Sequence, residues 1–254
     1  MQKQFNYWRK TNYLSMKKKI FKGSFYQIYP GMKHPIKKET LTFLKDLKRN
    51  NDREWFAENK DRYMAAHENL VAFVQELIYE MVAFDKSLAG IDPKKTIFRI
   101  YRDTRFAKDK SPYKPNFGAY LIDKKKGFNQ AGYYLHLEPG ECFLAGGIHV
   151  PEPATLRAIR KEISGDAKGF LKIVNDKNFK THFTIFGEQL VNVPQGFSKE
   201  DPMGEYLKYK ELSIIHPLTD KEVLSENFVS YCTRVFKLMV PFNAFINGVV
   251  SDNQ

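Results

Sequence analysis

A chain of 254 residues with 43% hydrophobic, 28% charged and 15% aromatic residues is long enough to bury a sizeable core without disulfide or metal staples. It holds no run of about 18 apolar residues and so offers no transmembrane helix; its cysteines, Cys142 and Cys232, sit far apart with no partner at metal-ligand spacing, which reads as free thiols in a reducing, cytoplasmic compartment. The net charge of +12 suggests nucleic acid until it is located: residues 1–38 hold ten Lys/Arg and no acidic residue, whereas residues 39–254 hold 31 Lys/Arg against 29 Asp/Glu, so the body of the chain is nearly balanced.

Residues 1–31 are therefore expected to be a disordered basic leader, with aromatics such as Trp8, Tyr13 and Phe21 interleaved among the cations and no signal-peptide apolar stretch. Residues 32–254 are expected to form one domain. Helical spacing begins at Thr40 with Leu41, Leu44 and Leu47, and Asn50-Asn51 interrupts it. Asn51 with Glu54 has the spacing of a capping box for the next helix. An amphipathic stretch from Tyr63 to Val82 follows, either continuous with the helix that begins at Trp55 or separated from it by a break near Asn59.

From Thr96 the period changes to two. Thr96–Arg102, Phe117–Ile122, Tyr133–Leu137 and Cys142–Val150 read as strands, joined by a polar loop containing Pro112 and Pro115, a charged turn at Asp123–Gly127, and a tight turn at Glu138–Glu141. They follow one another too closely for helical crossovers, so their pairing is expected to be antiparallel. Gly146-Gly147 inside the last of them reads as a bulge first, with a close backbone approach or a pocket wall as the alternatives. Helices are expected from Ala154 and over Asp166–Val174, a hairpin over Phe179–Val193 turning at Gly187, and helical stretches near Asp220–Leu238 and Phe242–Val249. The fold class is thus α+β: a mainly antiparallel sheet with helices grouped on one face and helical segments at both ends.

The runs Asn50-Asn51-Asp52-Arg53-Glu54-Trp55-Phe56, Phe98-Arg99-Ile100-Tyr101-Arg102-Asp103-Thr104-Arg105-Phe106 and Lys108-Asp109-Lys110-Ser111-Pro112-Tyr113-Lys114 follow in order, with Tyr133–Gly140, Gly146-Gly147 and Pro194–Phe197 after them. Together they resemble the family catalogued as domain of unknown function 2461, from about Thr40 onward. The resemblance implies a bacterial-type cytosolic domain and supplies no activity. Ala107 and Pro115 stand where that family usually has Ser and Thr, which removes two hydroxyls from this segment.

Residues 90–127 carry eleven Lys/Arg against four Asp/Glu. Strand alternation would place Phe98, Ile100 and Arg102 on one face, with Arg99 and Tyr101 on the other. One reading is an anion clamp: Arg102 and Arg105 gripping phosphate or carboxylate, Arg99, Lys110 and Lys114 adding charge, Tyr101 or Tyr113 stacking, and Asp103 orienting the clamp or serving as general base in a catalytic site. The competing reading is an internal Arg–Asp–Tyr network that pins a long loop. His136 and Glu138 share a strand face and His149 lies on the next strand, a three-ligand metal arrangement of undistinctive spacing; histidines on aromatic strands are usually packed and hydrogen-bonded instead, so no metal is expected. No cofactor fingerprint, P-loop or nucleophile elbow is present. The expected partner is an anionic small molecule, phosphorylated metabolites included. A nucleic-acid module using the same segment plus the leader, and a scaffold without chemistry, are the alternatives; nucleic acid is disfavoured for the nearly neutral body. Neither a reaction nor an oligomeric state is legible.

Overall fold

The structure is a computed structural model that describes residues 33–123 and 127–252; the expected leader and most of the Asp123–Gly127 turn lie outside them. Helix α1 (Lys38–Arg49) buries Leu41, Phe43, Leu44 and Leu47, the face its spacing predicts. Asn59 separates α2 (Arg53–Glu58) from the 22-residue α3 (Lys60–Met81). The cap of α2 is one residue later than expected: the Asp52 carboxylate accepts from Trp55 N–H. Asn51 is used elsewhere, accepting from Tyr113 N–H and donating to Tyr113 C=O.

The expected strand Thr96–Arg102 does not form. A short helix, α4 (Pro93–Thr96), occupies its start, and the rest is extended chain with isolated bridges, Ile97 to Ala119 and Tyr101 to Tyr113. The facing stretch contains Pro112 and Pro115, which have no N–H to donate, so a continuous ladder cannot close. Alternation fails with it: Ile100 is buried while Phe98 is exposed.

The sheet comprises β1 (Phe117–Leu121), β2 (Gly132–Leu137), β3 (Phe143–Ile148), β4 (Thr184–Phe186) and β5 (Leu212–Pro217). Its order is β1-β2-β3-β5-β4 and every pair is antiparallel, so the α+β class holds. Between β3 and β4 run α5 (Pro153–Gly165), α6 (Ala167–Val174) and α7 (Lys177–His182). Phe179 therefore lies in a helix, started by the Asp176 carboxylate, and the expected hairpin Phe179–Val193 is not made; β4 pairs with β5 instead. After α8 (Gly204–Leu207) and α9 (Asp220–Val223), α10 (Phe228–Asp252) continues through Pro241 as one helix where two stretches were expected. Burial of Phe236, Met239, Phe242 and Ile246 on both sides of the proline offsets its missing hydrogen bond. Among the described residues no helix is long and apolar enough to cross a membrane.

Helix α10 lies against β3 with α3 and α5 beside it, and the sheet face it covers carries Phe117, Leu121, Leu135, Leu144, Ile148 and Ile214, all buried. The approach is close at Gly146, where a Cβ would lie 2.7 Å from Met239 Sδ. At Gly147, φ is +102° and a Cβ would lie 2.1 Å from Leu212 O, so this position can carry no side chain. The glycine pair is not a bulge: Gly132 opposes Gly147 and Tyr133 opposes Gly146 without an inserted residue. Asn243 of α10 secures this point. Its buried amide donates to Gly132 C=O at 3.0 Å and accepts from Gly147 N–H at 2.8 Å. One turn later Asn247 makes the equivalent pair with Ala131.

Replacing Asn243 with Leu would strand two backbone groups in an apolar interior. The expected cost is about 2–4 kcal/mol, read as a fall in melting temperature of roughly 5–15 °C. A loss within the error of the melt would show that the clamp is dispensable.

Candidate groove on the bare sheet face

Strand register assigns the opposite face residue by residue. One row across it reads Gly118, His136, Phe143, Pro217; the next reads Tyr120, Tyr134, Ala145, Ile215, Thr184; the third reads Gly132, Gly147, Ser213, Phe186. Large aromatics stand toward β1 and β2, while the centre is floored by glycine, alanine and serine. The result is a cavity of ≈ 670 Å³. Phe98, Lys114, Asn116 and Phe128 join its lining on one side, and His149, Phe186 and Glu211 on the other. Phe98, Phe128 and Phe186 are exposed large hydrophobics, gathered around this one concavity rather than scattered.

A chain of polar groups runs along β2. Tyr134 Oη lies 3.1 Å and Asn116 Nδ2 3.3 Å from His136 Nδ1. An amide nitrogen only donates, so Nδ1 is the accepting nitrogen and Nε2 carries the proton, facing Glu138 Oε2 at 3.5 Å. The other Glu138 oxygen accepts from Lys48 Nζ at 2.6 Å. Phe143 stacks on the imidazole at 4.5 Å. Burial lowers the His136 pKa against the pull of Glu138, and burial pushes the Tyr134 hydroxyl up to about 12. Gly118 makes this geometry possible, since a Cβ there would lie 2.4 Å from Tyr134 Oη. Lys114 stands 5.6 Å from the centre of the Phe98 ring; its pKa is lowered, first by burial and then by Arg99.

The basic segment divides in two. Lys114 lines the groove and Arg99 acts on it, but Arg102 and Arg105 do not converge there. Arg102 pairs with Asp109. Arg105 grips Asp103 through Nε at 3.0 Å and Nη2 at 2.6 Å, and Lys110 donates to Thr104 C=O at 2.9 Å. Asp103, already engaged, has its pKa lowered by the Arg105 hydrogen bonds, which makes it a weaker base than a free carboxylate. Tyr113 is buried and stacked on Phe56 at 4.0 Å, with Tyr101 packed beside it. Arg102, Arg105 and Lys110 are thus engaged within their own loop, and Tyr113 with Phe56. Antiparallel register sets His136 opposite Phe143, so His149 lies six residues further along, roughly 20 Å away. It pairs with Glu211 at 2.5 Å. Among the described residues no three His, Cys, Asp or Glu side chains gather to hold a metal ion.

Asn116, Tyr120, Tyr134, Phe143, Ser213 and Glu211 were not singled out from the sequence. Alternation along β1, β2 and β3 points to the first four; Ser213 and Glu211 need the β3–β5 register. The family described as "Conserved hypothetical protein (DUF2461)" matches residues 39–245, and no curated protein matches the chain.

Because the folded protein holds His136 neutral more firmly than the unfolded chain does, the unfolded state takes up the proton first as pH falls below about 6.5. The His136 contribution to stability is therefore fully present above that pH, declines as pH drops toward the lower folded-state pKa, and is constant below it. Denaturation of wild type and His136→Phe between pH 7.5 and 5 should show the wild type losing more stability on acidification. The reverse trend would mean that His136 is held protonated.

Proposed function

The chain belongs to the family described as "Conserved hypothetical protein (DUF2461)", a membership that names no reaction, and from the site itself we propose that the bare sheet face binds an elongated, partly aromatic organic anion. The observation that carries this reading is Lys114. It is partly buried against Phe98 in the groove lining, and no carboxylate among the described residues pairs with it. Removing an ammonium from water without a counter-charge is costly, and a bound anion offsets that cost. The cavity lies within the range of small-molecule sites, roughly 300–1,000 Å³, and its balance of apolar lining to a few polar groups is theirs too.

Nucleic acid is a poorer match. A polynucleotide is held by many phosphate contacts along a basic track, and here Arg102, Arg105 and Lys110 are engaged with Asp109, Asp103 and a backbone carbonyl. The anionic ligand is therefore assigned to Lys114, with Arg99 supporting its potential, and not to the loop beyond them.

Calorimetric titration with phenyl phosphate and benzoate checks this. Wild type is expected to bind and to melt higher with ligand. Lys114→Met should keep its fold and lose roughly 10–100-fold in affinity, the worth of one charge-assisted hydrogen bond. Equal affinity in both proteins, or binding only of oligonucleotides, would refute the assignment.

A further inference from the structure

His136 lines the groove with its two nitrogens differently engaged. Nε2 carries the proton and faces Glu138 Oε2 at 3.5 Å. Nδ1 is met by two donors, the Tyr134 hydroxyl at 3.1 Å and the Asn116 amide at 3.3 Å, yet it has one lone pair to offer. The charged groups that act on the ring are Glu138 on its own strand and Glu141 in the turn after it, with Lys48 of α1 held to Glu138. Phe143 stacks on it from β3. Asn116 reaches it from the segment that enters β1, and Lys114, two residues earlier, belongs to the same lining. Burial outweighs the pull of the two carboxylates and lowers the His136 pKa, so the empty groove holds a neutral imidazole.

An anion in the groove changes that balance. Opposite charge within about 4–6 Å favours the charged form of such a group by roughly 10- to 1,000-fold. Once Nδ1 is protonated, the lone pair that Tyr134 donates to is gone. The hydroxyl oxygen then accepts from Nδ1–H, and its own proton is released to turn toward a ligand; the Asn116 amide turns to present its oxygen. Nε2–H faces Glu138 as half of an ion pair, while Lys48 holds the other carboxylate oxygen at 2.6 Å. One added proton therefore gives the groove a second cation besides Lys114 and a free hydroxyl donor.

Resting on the anion-groove reading, we infer that the ligand's head group is a dianion of the phosphate-monoester type, taken up together with one proton: Lys114 meets one charge, protonated His136 the other, and the Tyr134 hydroxyl donates to it. A monoanion is neutralised by Lys114 alone and gives the proton no reason to enter. A dianion against Lys114 alone would leave a net charge in a partly desolvated site, which is costly; the proton on His136 removes it.

The test is calorimetric titration, at about pH 7, of wild type and His136→Phe with phenyl phosphate and benzenesulfonate. These aryl anions have similar shapes and carry close to two charges and one. Repeating it in two buffers of different ionisation enthalpy counts the protons taken up. Wild type is expected to take up roughly half a proton to one proton per phenyl phosphate. It should bind phenyl phosphate about 10-fold more tightly than benzenesulfonate, or better. His136→Phe should bind both, take up no proton and lose most of that preference. If the variant fails to fold, the His136 ring signals of wild type, followed by NMR through a pH titration, decide instead: phenyl phosphate must move their midpoint upward. Binding of phenyl phosphate without proton uptake, or with benzenesulfonate held equally well, overturns this inference and leaves the anion groove standing. Failure of both probes to bind overturns both.

Discussion

One buried amide organises this molecule. Asn243 reaches from α10 through the covered face of the sheet and holds Gly132 on one strand and Gly147 on the next. Because α10 comes so close, Gly146 cannot carry a side chain without displacing Met239, while Gly147, at φ +102°, is kept bare by the Leu212 carbonyl of the neighbouring strand. Small residues thus gather where β2, β3 and β5 meet, and on the face opposite the helix Gly147, Ala145 and Ser213 form the floor of the groove.

The segment from Phe98 to Lys114 serves that arrangement in two ways. Its outer part is tied to itself by the Arg102–Asp109 and Arg105–Asp103 pairs, and the Asn51–Tyr113 hydrogen bonds with the Phe56–Tyr113 stack fasten its base to the helices. These ion pairs are largely exposed, so they add little to stability; they fix the path of the chain. Its inner part places Phe98 and Lys114 on the groove. One basic run thereby divides into architecture and site, and the division follows from which cations the two carboxylates reach in the fold, Arg102 by Asp109 and Arg105 by Asp103.

Local rules carried a good part of the fold. The α1 spacing of Leu41, Leu44 and Leu47 and the period-two runs of β1 to β3 are each settled by which face is buried, so sequence shows them directly. Thr96–Arg102 has the same alternation and still fails, because pairing depends on a partner strand and the partner contains two prolines. The stretch Phe179–Val193 fails for a related reason: β4 finds its mate in β5, more than twenty residues downstream, and no local pattern announces it. The site divides the same way. Lys114, His136 and Glu138 stand out by residue type and spacing. Glu211 and Ser213 reach the groove only once β3 and β5 are side by side, and the pairing of Arg102 and Arg105 is equally hidden, since spacing to Asp103 and Asp109 allows either a clamp or a network.

The central claim is that the bare face, and not the basic loop, is where a ligand sits. Ala145 lies in the middle of the groove floor and points away from the core, so Ala145→Phe fills the cavity with a residue that strands accept. The decisive measurement is the melting temperature of this variant with and without phenyl phosphate. The account predicts a folded protein, near wild-type stability without ligand, that no longer responds to it. A ligand-induced shift equal to that of wild type would place the site elsewhere, and a collapse of the fold would show that this face is packed rather than open.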